Sequence, residues 1–62
     1  MELKVGMVIM SHLSDAQELL NFDKTKANNH INFAKLLIMN YPNTDVMVTE
    51  ETLNQLWQQV VK

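Results

Sequence analysis

Between Leu3 and Phe22 the apolar residues Val5, Val8, Ile9, Leu13, Ala16, Leu19 and Leu20 fall on one side of a wheel drawn at about 100° per residue, with His12 among them. Lys4, Ser11, Gln17, Glu18 and Asn21 take the other directions, as a solvated face does. The same stretch admits a rival reading. Leu3, Val5, Met7 and Ile9 alternate with Glu2, Lys4, Gly6 and Val8, the period of a strand, which a helix capped by Ser11 or Ser14 would follow. Val8 and Met10 break that alternation, so the spacing favours a continuous helix, with Gly6 a weak point in either arrangement.

Asn21 to Lys26 is short and polar, and Asp23 or Thr25 is placed to cap a second helix, so a tight helix hairpin is expected. From Ala27 to Tyr41 the wheel gathers Ala27, His30, Ile31, Ala34, Leu37, Ile38 and Tyr41 into a stripe wide enough to pack on the first helix. Ala16 and Ala34 stand at comparable distances from the loop, where an antiparallel pair can approach closely. Pro42 ends this helix, because the residue before a proline is pushed out of the α region and Pro-Asn opens a turn. Thr44 to Val48 reads as a short extended connector. Thr49 then caps a last helix whose first turn carries Glu50 and Glu51, acids that suit the positive helix end. Leu53, Leu56, Trp57, Val60 and Val61 keep the i, i+3, i+4, i+7, i+8 spacing without a fault.

The pattern thus predicts an all-α fold, a small three-helix domain made of a helix hairpin and a C-terminal helix, with a short N-terminal strand, giving α+β, as the alternative. Residues 1–62 form one domain. The second helix carries more apolar side chains than its stripe uses: Phe33, Leu36 and Met39 point elsewhere, rimmed by Asn32, Lys35 and Asn40. A third helix packed on that side would consume the three as ordinary core. That helix has a single apolar face, however, and cannot cover both sides of a hairpin at once. The expectation is therefore a partner-binding surface made of Phe33, Leu36, Met39, Asn32, Lys35 and Asn40.

Size sharpens this expectation. A domain of 62 residues buries only about 60% of the surface its unfolded chain exposes. It has no cysteine for disulfides or thiolate metal sites, and only His12 and His30 as imidazole ligands. Self-association or a protein partner is the remaining remedy. Four of the five methionines, Met7, Met10, Met39 and Met47, add adaptable side chains of the kind that repack against partners. The longest unbroken apolar run, Leu36 to Met39, is far too short to span a bilayer, and with no charged leader the chain is expected to be cytoplasmic.

Charge narrows the partner classes. Seven acids oppose five lysines for a net charge of −2, and arginine, the main source of bidentate contacts to guanine and phosphate, is absent. Asn28, Asn29, Asn32, Lys35 and Asn40 give the second helix donors for adenine, so a dimeric DNA-binding regulator stays open as an alternative. Lys24, Lys26 and Lys35 are few for phosphate, and nucleic acid is disfavoured. Seven asparagines without arginine also suit an AT-rich phage or mobile element.

Catalysis needs a nucleophile beside a base, or paired carboxylates in a cleft, and neither is visible. A chain this short also has little material with which to enclose a ligand-sized pocket. His12 and Asp15 lie three apart near Ser11 and Ser14, a spacing that capping or a half-buried histidine also explains. His30 falls in the first turns of the second helix as a boundary residue, and an interface sensitive to pH through both histidines is the one further role they suggest. No catalytic, cofactor or metal site is expected. The function expected is that of a small non-enzymatic protein-binding module that regulates, inhibits or scaffolds a partner or a second copy of itself, a homo-oligomeric structural subunit being a further alternative.

Overall fold

The computed structural model describes residues 1–61, so Lys62, at the end of the expected 1–62 domain, lies outside the described residues. Five elements succeed one another: β1 (Glu2–Lys4), α1 (Val5–Leu19), α2 (Lys24–Asn40), β2 (Met47–Thr49) and α3 (Glu50–Val60). Three helices dominate and the strand alternative is present too, in a shorter form than the alternation suggested. β1 pairs antiparallel with β2 in the register Glu2 to Thr49, Leu3 to Val48 and Lys4 to Met47. Leu3 and Val48 therefore sit opposite each other on the inner face, and Val48 is buried.

The continuous helix expected from Leu3 is corrected at its start, and the helix of the rival reading begins six residues earlier than Ser11. Lys4 precedes the first turn with an extended backbone and gives it no side-chain cap. The first N–H groups of a helix need acceptors from somewhere. Here they come from far along the chain: Val5 N–H donates to the Val46 carbonyl and Gly6 N–H to the Thr44 carbonyl, both at 2.9 Å. Gly6 eases that approach, because a Cβ on it would stand 3.2 Å from the Thr44 oxygen and 3.3 Å from the Thr44 Cβ, so that Thr44 would have to give by a few tenths of an ångström. Local propensity disfavours a glycine there, and the loop carbonyls override it.

The remaining boundaries reflect local chemistry. α1 closes into a turn in which Phe22 and Asp23 N–H both donate to the Leu19 carbonyl. Asp23 Oδ1 then accepts from Lys26 N–H at 3.1 Å and caps α2. α2 ends at Asn40, and Tyr41 leaves the α region ahead of Pro42 as expected. The Asn43 side chain accepts from Asp45 N–H at 3.0 Å to shape the turn, and Thr49 Oγ1 accepts from Thr52 N–H at 3.2 Å to cap α3. An exposed Lys4–Asp45 ion pair at 3.9 Å contributes little in water.

The core gathers Val5 and Ile9 of α1, Phe33, Ala34 and Leu37 of α2, Val48 of β2 and Leu53 of α3. Leu3, Val8, Tyr41, Leu56, Trp57 and Val60 pack around it. Ala16, Ala27 and Ala34 are buried, in keeping with a close α1–α2 hairpin. One face of α2 is turned relative to the expected stripe. Phe33, surplus on the wheel, is 2% exposed in the core, whereas Ile38, a member of the stripe, is 50% exposed. The cause is α3, which covers the Phe33 flank of the hairpin: Trp57 meets Phe33 edge to face with ring centroids 5.1 Å apart. A single helix still cannot cover both flanks, but the open flank is that of Ile38.

Candidate functional site

His12 on α1 and His30 on α2 both occupy half-buried positions on the facing sides of the hairpin, and antiparallel packing brings them together. Their Nδ1 atoms are 2.8 Å apart and their rings stack at a 5.0 Å centroid separation. A hydrogen bond of this kind needs one Nδ1 to carry a proton and the other to offer a lone pair, so the neutral pair holds two different tautomers. Phe33 stands edge-on to His12 at 4.6 Å, and Trp57 of α3 lies 5.6 Å from His12 and 5.2 Å from His30. Four rings from three helices thus fix one another's orientation. Asp15, one turn along α1 from His12, brings its carboxylate to the same place: ligand atoms of His12, Asp15 and His30 all lie within 4.8 Å of one another.

Burial, first, and the charge of His30, second, hold the His12 imidazole below its ordinary value of 6.5, against an upward pull from Asp15. His30 from α2 and Asp15 from α1 are the titratable groups that act on it; the α3 group that meets it is the uncharged Trp57. The folded state therefore favours neutral His12 while the unfolded chain takes up a proton near 6.5. Between those two titrations the unfolded state binds more protons, so the His12 contribution to stability is complete above 6.5 and declines as pH falls below it. In metal-free protein held with a chelator, the urea midpoint is expected to fall between about pH 7.5 and about pH 5.5, and His12→Gln to flatten that part of the profile. Equal midpoints at the two pH values for the wild type would show the idea to be wrong.

Two open grooves flank α1. One, of about 620 Å³, runs between α1 and α3, with Leu3, Val8, Phe33 and Leu53 as its apolar lining and His12 and Trp57 on its wall. The other, of about 730 Å³, lies between α1, the C-terminal half of α2 and the loop before β2, and is lined by Met7, Ile9, Met10 and Ile38 with Thr44 and Asp45 at its edge. Both are open to solvent rather than enclosed, so their volumes are those of surface grooves.

The six residues expected to form the partner surface do not stay together. Phe33 is in the core, Leu36 is half-buried, and Met39 is 78% exposed. Asn32 and Lys35 are exposed, and Asn40, also exposed, turns its side-chain amide back to donate to the Leu36 carbonyl at 2.8 Å. The exposed apolar side chains that do share a groove are Met7, Met10 and Ile38. The wheel places Met7 and Met10 off the core stripe of α1, which is a usable signal; Ile38 is hidden by the assumption that the α2 stripe faces α1 squarely.

No helix among the described residues is long and apolar enough to cross a membrane. No protein-family model matches the chain, and no similar protein is found among curated proteins or solved structures.

Proposed function

We propose that this chain is a non-enzymatic protein-binding module of the cytoplasm, which regulates, inhibits or scaffolds a protein partner by occupying it stoichiometrically. The observation that carries this reading is the Met7, Met10 and Ile38 groove. Met7 and Met10 are 70% and 68% exposed, and with Ile38 they supply flexible and branched apolar surface along one side of the hairpin. Methionines adapt their shape to a partner, and a groove beside a helix suits the apolar face of a partner helix. Met39 extends the exposed apolar surface of α2 and is the member of the strip expected from sequence that remains available. A second copy of the chain is the other occupant the same surface suits. A regulator of phage or mobile-element type agrees with the size and the arginine-free composition.

The test is a pair of charge insertions on exposed positions, Met10→Glu with Ile38→Glu, measured beside Met39→Glu. Wild type is expected to associate, either with itself in sedimentation equilibrium or with a protein retained from native cells. The double variant should lose that association at least about tenfold, with its circular dichroism unchanged, because each buried carboxylate is left unpaired. Retained association in both variants would end this reading. Binding to random duplex that weakens steeply with salt would replace it by the DNA-binding alternative.

A further inference from the structure

We propose that His12, His30 and Asp15 form a binding site for one borderline divalent transition-metal ion of the zinc class, which staples α1 to α2. The site is independent of the protein-binding groove and bears on how so small a chain is held together. Three donors from two helices converge within 4.8 Å of one another, a coincidence the fold has to organise because His12 and His30 are eighteen positions apart.

The donor set selects the ion. Two imidazole nitrogens and one carboxylate oxygen suit zinc, cobalt, nickel and copper, whereas calcium and magnesium prefer oxygen alone. The two Nδ1 atoms stand 2.8 Å apart, close enough to share one proton across the gap that an ion would enter. Two Zn–N bonds of about 2.0–2.1 Å at a tetrahedral angle would set those nitrogens about 3.3 Å apart, so the rings need to open by about half an ångström to exchange the proton for an ion. Asp15 supplies the third donor from the exposed side, leaving the last position to water.

The surroundings of the pair resemble those a metal ligand needs. Ligand imidazoles work best when something outside the first ring of contacts fixes their orientation. Phe33 against His12 and Trp57 against both histidines do so by packing, with centroids between 4.6 and 5.6 Å. An ion that binds only the folded arrangement adds to stability by mass action, which matters in a chain without disulfides.

Cobalt(II) titration of the full chain tests the site, because Trp57 lies close enough to both rings for a bound paramagnetic ion to quench its fluorescence. The wild type is expected to saturate at one cobalt per chain, with a visible ligand-field band and quenched Trp57 emission, and zinc to compete for the same site. Zinc should also raise the melting temperature, and magnesium at the same concentration should not. Asp15 is exposed, so Asp15→Asn keeps the fold and is the decisive variant. Even outer partners of a metal site are worth about 10–100-fold in affinity, so loss of this ligand should weaken cobalt binding by at least about tenfold. His30→Asn should abolish the ligand-field band. Unchanged affinity in Asp15→Asn, or no saturable binding by the wild type, would overturn the proposal. If His30→Asn fails to fold, the Asp15→Asn comparison decides alone.

Discussion

Phe33→Ala is expected to unfold the chain, whereas Met39→Ala on the same helix is expected to leave it folded. The phenyl ring of Phe33 is 2% exposed and touches both other helices, edge-on to His12 of α1 at 4.6 Å and to Trp57 of α3 at 5.1 Å. Truncating a buried phenylalanine costs about 3–5 kcal/mol, the sum of lost burial and an unfilled cavity. A single core in a chain of this size rarely supplies more than about 3–5 kcal/mol in total. The two figures are equal in size, and the folded population should collapse. Met39, at 78% exposed, lacks that cost, and a surface change of this kind stays within about 0.5 kcal/mol. Urea denaturation monitored by circular dichroism separates them: Phe33→Ala should lack a cooperative transition and Met39→Ala should keep the wild-type midpoint. A cooperative Phe33→Ala transition near the wild-type midpoint would show that Phe33 is not core.

The contrast between these neighbours marks where the sequence is legible. Periodicity places the three helices, and local chemistry places their ends wherever the capping group is near in sequence: Asp23 for α2, Thr49 for α3, Pro42 after α2. The start of α1 is not legible in the same way, since its N–H acceptors are Thr44 and Val46, about forty residues away. The rotation of α2 is hidden for a related reason. A wheel ranks faces by hydrophobicity, but Phe33 and Ile38 flank the same stripe on opposite sides, and only the docking of α3 decides which of them is covered. The histidine pair lies between these cases. Both residues read as facing inward, and their contact results once α1 and α2 are antiparallel, but the 2.8 Å approach and the arrival of Asp15 depend on a register that composition does not specify.

Trp57→Ala is the second substitution expected to remove the fold, and it bears on whether α3 is an integral element or a lid. α3 has 11 residues, fewer than the about 12–15 an isolated helix needs for even marginal stability in water. Its helicity must come from docking, through buried Leu53 and half-buried Leu56, Trp57 and Val60. Trp57 packs on Phe33 and both histidines, and because it is half-buried its removal costs toward the low end of the about 3–5 kcal/mol of a fully buried tryptophan, still comparable with what so small a core supplies. The loss does not stay within α3, because undocking it uncovers Phe33 and releases β2, whose pairing with β1 and preceding loop carbonyls hold the start of α1. All helical signal should therefore disappear together, and Trp57→Phe, which keeps an aromatic ring against Phe33, should restore a cooperative transition at a lower urea midpoint. A lid would behave otherwise. About a quarter of the helical signal would go, in proportion to 11 residues in α3 against 15 in α1 and 17 in α2, with the hairpin still melting cooperatively. That partial loss would refute the single cooperative unit that the packing around Phe33 implies.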